Sequence, residues 1–330
     1  MANGIIVIDK PQEWTSMDVC AKIRGVLHER RVGHAGTLDP MATGVLPVFV
    51  GRATRAVEFA SESEKEYIAG LKLGVVTNTQ DTTGQVVEER PVEADRADLE
   101  GALAAFRGEI TQIPPMYSAL KRDGKKLYEL ARAGKEVERK ARPVKILDIC
   151  VEETALPRVT LTVSCTKGTY IRTLCYDIGR KLGCGGCMES LLRTRVGQFE
   201  LKDSLTLSEI EKQRDNGGLA DHILAVDAVF LEYPALTMKE EFDKLVHNGN
   251  PFYRNQAEGD SPAQDSPVRV YDSQGRFIGI YALDREKKWD FTAVVTPGTK
   301  VEGGDVIGTV PETPVVLHKI KIGRASWRER

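Results

Sequence analysis

The segment from Arg31 to Pro47 places groups that could do chemistry on a constrained loop. It holds one carboxylate, Asp39, and one imidazole, His34, among three glycines and two prolines. Glycine permits, and proline imposes, backbone conformations that interrupt a helix or strand, so the segment should be a shaped loop. A carboxylate held on such a loop is a candidate catalytic group. The alternative is that Asp39-Pro40 only begins a turn.

Segments with regular hydrophobic patterns surround this loop and should position it. The apolar run Val45 to Val50 predicts a buried strand directly after it, and the β-branched run Gly4 to Ile8 predicts another. Thr15 or Ser16 is a candidate N-cap for a helix whose apolar face runs from Val19 to Leu27.

The stretch from Lys65 to Gly74 alternates as a half-buried strand does. Tyr67 and Ala69 fall on one face and Ile68 and Gly70 on the other. A tyrosine at such a position is usually a core aromatic with a satisfied hydroxyl.

Composition indicates an ordinary globular protein. The chain has 330 residues, of which 41% are hydrophobic and 28% charged, so more than one domain is expected. No apolar run is long enough to span a bilayer, and the first residues lack the pattern of a secretion signal. We therefore expect a cytoplasmic protein.

The six cysteines should be reduced thiols in that compartment. Cys184-Gly-Gly-Cys187 has the spacing of half a zinc site, but no second pair completes it. No metal is predicted.

Charge is distributed unevenly along the chain. The formal net charge is −2, yet residues 121–145 contain ten basic and four acidic side chains. This basic segment, which we take as residues 110–145, could meet RNA phosphates. A charge run of this kind is also typical of a solvated helix face.

The C-terminal part is predicted to form a smaller β-rich domain. Tyr233-Pro234 marks the expected boundary, which gives domains of residues 1–232 and 233–321. Runs with strand character flank a predicted turn at Asp272 to Gly275. The last nine residues, 322–330, look like translated sequencing-adapter DNA and are left out of the fold prediction.

The loop sequence Gly33 to Leu46 resembles the nucleophile motif of the TruB family of pseudouridine synthases, which isomerise uridine 55 in the T loop of tRNA. Further blocks match in the family's order, at Asp9–Ser16, Lys65–Tyr67, Lys167–Leu174 and Leu191–Phe199. The resemblance implies an α+β fold with a central mixed, largely antiparallel sheet flanked by helices. It also implies a small C-terminal β-rich PUA-like domain that binds RNA.

The resemblance assigns Asp39 as the nucleophile, attacking either C1′ of the ribose or C6 of the base. Arg172 would pair with this carboxylate and keep it ionised at neutral pH. Tyr67 would stack on the flipped base and assist removal of the C5 proton. Lys10 could face the substrate, but a lysine at the end of a strand is usually solvated, so a direct role is disfavoured.

The resemblance also implies residues that contact the substrate. Tyr170 and Leu191 would line the base pocket, and His34 would contact the RNA near the flipped base. The basic segment would clamp the T arm through a patch of five side chains, Lys121, Arg122, Lys125, Lys126 and Arg132. The C-terminal domain would contact the acceptor arm; the alternative is a solubilising β module with no RNA contact.

These expectations describe a monomer that needs no cofactor, metal or protein partner, because the isomerisation involves neither redox chemistry nor net hydrolysis. One alternative is a noncatalytic tRNA-binding folding chaperone, which would use the same basic segment without Asp39. A pseudouridine synthase acting on rRNA within a guide-RNA complex is a third interpretation, disfavoured by the absence of basic tails and extensions.

Overall fold

The computed structural model describes residues 2–122, 124–259 and 266–282, together with the backbone of four strand segments beyond them, 288–289, 292–293, 306–313 and 316–321. The chain divides into two compact units, Met1–Leu224 and Ala225–Arg330. It stays a prediction that residues 1–232 form a catalytic domain and residues 233–321 an RNA-binding domain. The segment 322–330 lies outside the described residues.

The first unit contains six α-helices: α1 (Ser16–Leu27), α2 (Val57–Glu62), α3 (Arg96–Ala104), α4 (Leu127–Arg132), α5 (Ile171–Lys181) and α6 (Leu207–Asp215). Its strands are β1 (Gly4–Lys10), β2 (Val32–His34), β3 (Thr43–Val50), β4 (Lys65–Leu73), β5 (Val75–Thr77), β6 (Val86–Glu89), β7 (Gly108–Gln112), β8 (Lys121–Arg122), β9 (Lys125–Lys126), β10 (Arg142–Ala155), β11 (Arg158–Cys165), β12 (Gly186–Val196) and β13 (Phe199–Glu200).

A nine-stranded sheet organises this unit. Its strand order is β1-β3-β12-β4-β11-β10-β7, with β2 paired to β3 and β13 paired to β12. All these pairs are antiparallel except β12 with β3. The predicted mixed, largely antiparallel sheet with flanking helices is therefore confirmed.

Two apolar clusters hold helices against this sheet. One joins α5 and α3 to β4, β10, β11 and β12, and the other joins α1 and α6 to β1 and β3. Thr15 caps α1 with a reciprocal bond to Asp18, as one of the two predicted caps. The expected alternation in β4 is confirmed, since Tyr67 and Ala69 are buried while Ile68 is exposed. This arrangement places β3, β4, β12 and the start of α5 around the Asp39 loop.

The second unit contains the helix α7 (Asp243–His247) and strands β14 (Ala235–Met238), β15 (Phe252–Tyr253), β16 (Ala257–Gly259), β17 (Val268–Tyr271), β18 (Phe277–Tyr281), β19 (Lys288–Trp289), β20 (Thr292–Ala293), β21 (Val306–Thr313) and β22 (Val316–Lys321). Four of them form a sheet in the order β16-β14-β17-β18 over a small apolar core. The prediction of a β-rich C-terminal part agrees with this content. Among the described helices of the whole chain, none is long and apolar enough to cross a membrane.

Candidate active site

Asp39 lies in the connection between β2 and β3, two antiparallel neighbours at the sheet. The residues on either side of it along the loop, Leu38 and Ala42, are buried. The Asp39 side chain itself keeps 37% of its surface exposed. The loop backbone is thus fixed against the core, while more than a third of the Asp39 side chain remains exposed.

Ser16 and Lys10 hold the loop backbone directly beside Asp39. Ser16 Oγ accepts a hydrogen bond from the Leu38 N–H at 2.9 Å and donates one to the Leu38 carbonyl at 3.2 Å. The Lys10 ammonium donates to the Pro40 carbonyl at 3.3 Å and to two further main-chain carbonyls. Asp39 therefore lies between two residues whose main chains are bound by buried side chains.

The structure corrects the expectation that Lys10 is solvated. Its side chain is fully buried, because β1 runs beside β3 and ends under the Asp39 loop. Burial lowers the pKa of Lys10 to about 8, and the nearby Asp39 carboxylate acts in the opposite direction. Lys10 is thus a buried cation near the candidate nucleophile.

Arg172 forms the expected ion pair with Asp39. Its Nε lies 2.9 Å from Asp39 Oδ2, and its Nη1 lies 3.6 Å from a second carboxylate, that of Asp81. Arg172 also donates to the carbonyls of Thr79 at 3.1 Å and Tyr117 at 2.7 Å. One buried guanidinium thus connects the Asp39 loop, the β5–β6 turn and the basic segment.

The ionisation of Asp39 is governed by opposing effects. Burial raises the pKa of the Asp39 carboxyl above its ordinary value, the Arg172 guanidinium lowers it, and the Asp81 carboxylate raises it. Arg172 lowers the pKa of Asp39 as predicted, but the increase caused by burial is larger. The net pKa of Asp39 therefore lies above that of a solvated aspartate.

The predicted base-pocket residues surround this carboxylate. Tyr67 and Leu191 belong to one apolar cluster with Leu38, and each is 8% exposed. Tyr170 is the N-cap residue of α5, two positions before Arg172. The charge of Asp39 acts on the hydroxyls of both tyrosines, whose pKa values burial raises. The structure thus brings Asp39, Arg172, Tyr67 and Tyr170 together.

Tyr170 is held by a residue that the sequence did not single out. The Gln112 side chain accepts a hydrogen bond from the Tyr170 N–H at 3.0 Å and donates one to the Tyr170 carbonyl at 3.2 Å. Gln112 is 1% exposed and ends β7, where the basic segment leaves the sheet. The start of α5 is thereby fixed to the edge strand.

His34 ends β2, ahead of the Asp39 loop. Burial lowers its pKa, and the positive charge of Arg193 lowers it further. Its Nδ1 atom is buried without a hydrogen-bond partner in the described part of the chain. The ring therefore retains an unused polar atom beside the loop.

Arg193 was also missed by sequence reasoning. This arginine of β12 is 1% exposed and donates to the carbonyls of Gly36 at 3.0 Å and Val45 at 2.8 Å. These carbonyls lie on the two sides of Asp39 along the chain. The signal that could have pointed to Arg193 is its place inside the matching block Leu191–Phe199, whereas Gln112 lies outside every matching block.

The proposed RNA patch lies on β8, β9 and α4, within the basic segment. Lys125 is exposed, and Arg122 donates to the Glu138 carbonyl. The charged groups of Lys126 and Arg132 lie 5.4 and 5.6 Å from the ring centre of Tyr128. The Lys121 side chain lies outside the described part. The structure therefore groups part of the patch around one aromatic ring.

Comparisons with known proteins agree with this arrangement. A model of the TruB family pseudouridylate synthase N-terminal domain matches residues 24–171, and one of the tRNA pseudouridylate synthase B C-terminal domain matches residues 172–230. A third model, of the ATP synthase alpha/beta subunit barrel-sandwich domain, matches residues 280–325, most of which lie outside the described side chains.

Relatives cover most of the chain. The tRNA pseudouridine synthase B of Clostridium kluyveri is 44% identical over 84% of this chain and 94% of its own length. That of Lachnoclostridium phytofermentans is 46% identical over 86% of this chain and 96% of its own. Among solved structures, a Cbf5-Nop10-Gar1 complex matches with a TM-score of 0.66 and 27% identity, covering 85% of this chain and 78% of that one. The chain therefore belongs to the TruB family of pseudouridylate synthases.

Proposed function

We propose that this protein is a tRNA pseudouridine synthase that isomerises uridine 55 in the T loop by means of an Asp39 nucleophile. The observation that carries the proposal is the ion pair between Asp39 and Arg172 in a pocket that also contains Tyr67 and Tyr170. The relatives named tRNA pseudouridine synthase B support tRNA as the substrate.

The pocket suits a base that has been turned out of folded RNA. Tyr67 provides a ring on which the uracil stacks, an interaction worth roughly 1–3 kcal/mol per base, which offsets much of the unstacking free energy. Tyr170 and Leu191 close the pocket, and His34 contacts the RNA beside it. The reaction needs no metal or cofactor, because it breaks and remakes bonds of one nucleotide.

The basic segment would hold the T arm, with Arg122, Lys125, Lys126 and Arg132 facing phosphates. The C-terminal unit would contact the acceptor arm as a PUA-like domain. The enzyme would act as a cytoplasmic monomer.

The deciding experiment maps pseudouridine position by position in an unmodified tRNA transcript. The purified chain should convert uridine 55 alone, and a transcript with cytidine at that position should remain unmodified. Asp39→Asn should bind the tRNA with unchanged affinity and form no pseudouridine. Asp148→Asn, a substitution of an exposed aspartate in the same unit, serves as the matched control and should act like the wild type.

Two outcomes would contradict the proposal. Pseudouridine formation by Asp39→Asn at the wild-type rate would show that another group is the nucleophile. Tight tRNA binding by the wild type with no conversion at any position would favour the noncatalytic chaperone.

A further inference from the structure

Arg193 is a buried cation that has no carboxylate partner in the described part of the chain. Its guanidinium is bound by the carbonyls of Gly36 and Val45. Among the side chains that the structure describes, no carboxylate lies within 4.0 Å of it. Arginine does not lose its proton in proteins, so the charge persists. An uncompensated buried charge is strongly unfavourable unless the site uses it.

The charge of Arg193 acts on the base pocket at Tyr67. Arg193 lies opposite Tyr67 in the pairing of β12 with β4 and opposite Gly44 in the pairing with β3. Its guanidinium also interacts with the Tyr67 hydroxyl. Because the two residues are directly opposite each other on neighbouring strands, the positive charge of Arg193 lies beside the Tyr67 side chain.

The other active-site cation is differently placed. Arg172 pairs with Asp39 and also contacts Asp81, so it keeps an anionic neighbour when Asp39 changes its charge. Of these two arginines, only Arg193 has a charge that the resting site leaves uncompensated.

The proposed reaction moves negative charge from Asp39 to the uracil, and the inference rests on that function. In attack at C1′, a carboxylate oxygen bonds to the carbon and the bond to N1 breaks, leaving its electron pair on the base. In attack at C6, the same oxygen bonds to the ring and the C5–C6 π electrons pass to C5 and O4. In both routes Asp39 becomes an uncharged ester and the uracil becomes an anion. An anion in a buried pocket needs a cation that is already in place.

We propose that Arg193 is a positioning residue whose charge, held beside Tyr67, stabilises the uracil anion, while its two carbonyl contacts fix the loop around Asp39. The guanidinium does not touch the substrate in this arrangement. Its charge balances the charge that leaves Asp39. No proton is transferred in this step.

Single-turnover rates and tRNA affinities of Arg193 variants test the proposal. Arg193→Met should lower the rate about a hundredfold, the size expected for removing one preorganised electrostatic group, with tRNA affinity changed less than about threefold. Arg193→Lys keeps the charge and should stay within about tenfold of the wild type. Arg195→Met is the matched control, because Arg195 lies on the same strand but its side chain pairs with Glu66. It should leave the rate unchanged.

A second substrate separates stabilisation of charge from support of the loop. In a transcript containing 5-fluorouridine, fluorine stabilises the base anion, so the reaction should depend less on Arg193. The rate is measured as the disappearance of 5-fluorouridine after digestion of the transcript. We expect the fold loss of rate caused by Arg193→Met to be at least about tenfold smaller with 5-fluorouridine than with uridine. Equal fold losses of rate with both substrates would overturn the proposal, because Arg193 would then only support the loop around Asp39.

The remaining outcomes also decide the matter. If Arg193→Met does not fold, the single-turnover rate of a folded Arg193→Lys decides. A rate within about tenfold of the wild-type rate supports the proposal, and a rate about a hundredfold lower contradicts it. A wild type that converts uridine while Arg193→Met is equally fast contradicts this inference alone. A wild type that converts no uridine contradicts the proposed function and this inference together.

Discussion

The Asp39 loop and the basic segment are both irregular stretches of the first unit, but they are held in different ways. Buried side chains from β1, α1 and β12 bind the backbone of the loop, and Arg172 of α5 binds its carboxylate. The basic segment leaves the sheet after Gln112 and rejoins it at Arg142, and most of its residues are exposed.

If the proposed function is correct, the Asp39 loop carries the reaction and the basic segment binds the RNA. A reacting carboxylate must keep its geometry within fractions of an ångström, and buried supports from several elements achieve this. A surface that meets RNA phosphates gains affinity from charge, which depends less on precise geometry. We therefore expect substitutions at the loop to lower the rate of reaction, and substitutions in the basic segment to lower tRNA affinity.

The largest effect is expected for Arg172→Met. The change leaves the Asp39 and Asp81 carboxylates near each other without their shared cation, which disfavours the ionised form of Asp39. The single-turnover rate should fall about a thousandfold, with tRNA affinity changed less than about threefold. Arg180→Met, at an exposed position of the same helix, is the matched control. An equal loss of affinity and rate would break the distinction between the two regions.

A pair of glycine substitutions compares the regions directly. Gly44 and Gly134 have φ values of 100° and 68°, which disfavour any side chain. A Cβ at Gly44 would lie 2.2 Å from the Arg193 carbonyl oxygen, whereas a Cβ at Gly134 would meet no atom within 4 Å. In chemical unfolding of the whole chain, we expect Gly44→Ala to lower the free energy of unfolding by roughly 3–5 kcal/mol and Gly134→Ala by about 1 kcal/mol. Similar values would show that the loop is no more constrained than the segment.

The sequence predicted the parts of this site that depend on local pattern. The alternation in β4 put Tyr67 on the buried face, and Thr15 was one of two proposed caps for α1. No strand was assigned to Arg142–Ala155. That strand carries two register shifts, which break the alternation of apolar residues by which an exposed strand is found.

The buried cations could not be predicted in the same way. Lysine and arginine are rarely buried, and no local pattern marks Lys10 or Arg193 as exceptions. Arg193 is buried because β12 pairs with β3 and β4, which come from distant parts of the chain. The burial of both cations is a consequence of strand order, which no local pattern in the sequence specifies.

A smaller effect is expected from neutralising the basic segment. Replacing Lys125, Lys126 and Arg132 by glutamine should weaken tRNA binding about tenfold at moderate salt and reduce the dependence of affinity on salt, because fewer counterions are released. The rate with saturating tRNA should change less than about twofold. Replacement of three exposed lysines of the same unit, Lys181, Lys202 and Lys212, is the matched control for total charge. If both triple variants lose the same affinity, the segment is not a specific contact surface.

The smallest effect concerns the packing around α5, the helix that carries Arg172. Burial raises the pKa of Asp177 to about 6, and Arg180 acts in the opposite direction. The folded protein then binds this proton more tightly than the unfolded chain, so the free energy of unfolding should fall as pH rises from about 4 to about 6. Because the side chain is partly exposed, we expect a decrease of only about 1 kcal/mol, absent in Asp177→Asn. Urea unfolding of the wild type and of Asp177→Asn at pH 4 and pH 7 measures this decrease. If the free energy of unfolding depends on pH equally in both proteins, Asp177 keeps an ordinary affinity for its proton in this helix. A difference of the expected size would show that the helix carrying Arg172 includes a carboxylate held in an unfavourable environment, a feature expected where packing rather than solvent fixes the geometry.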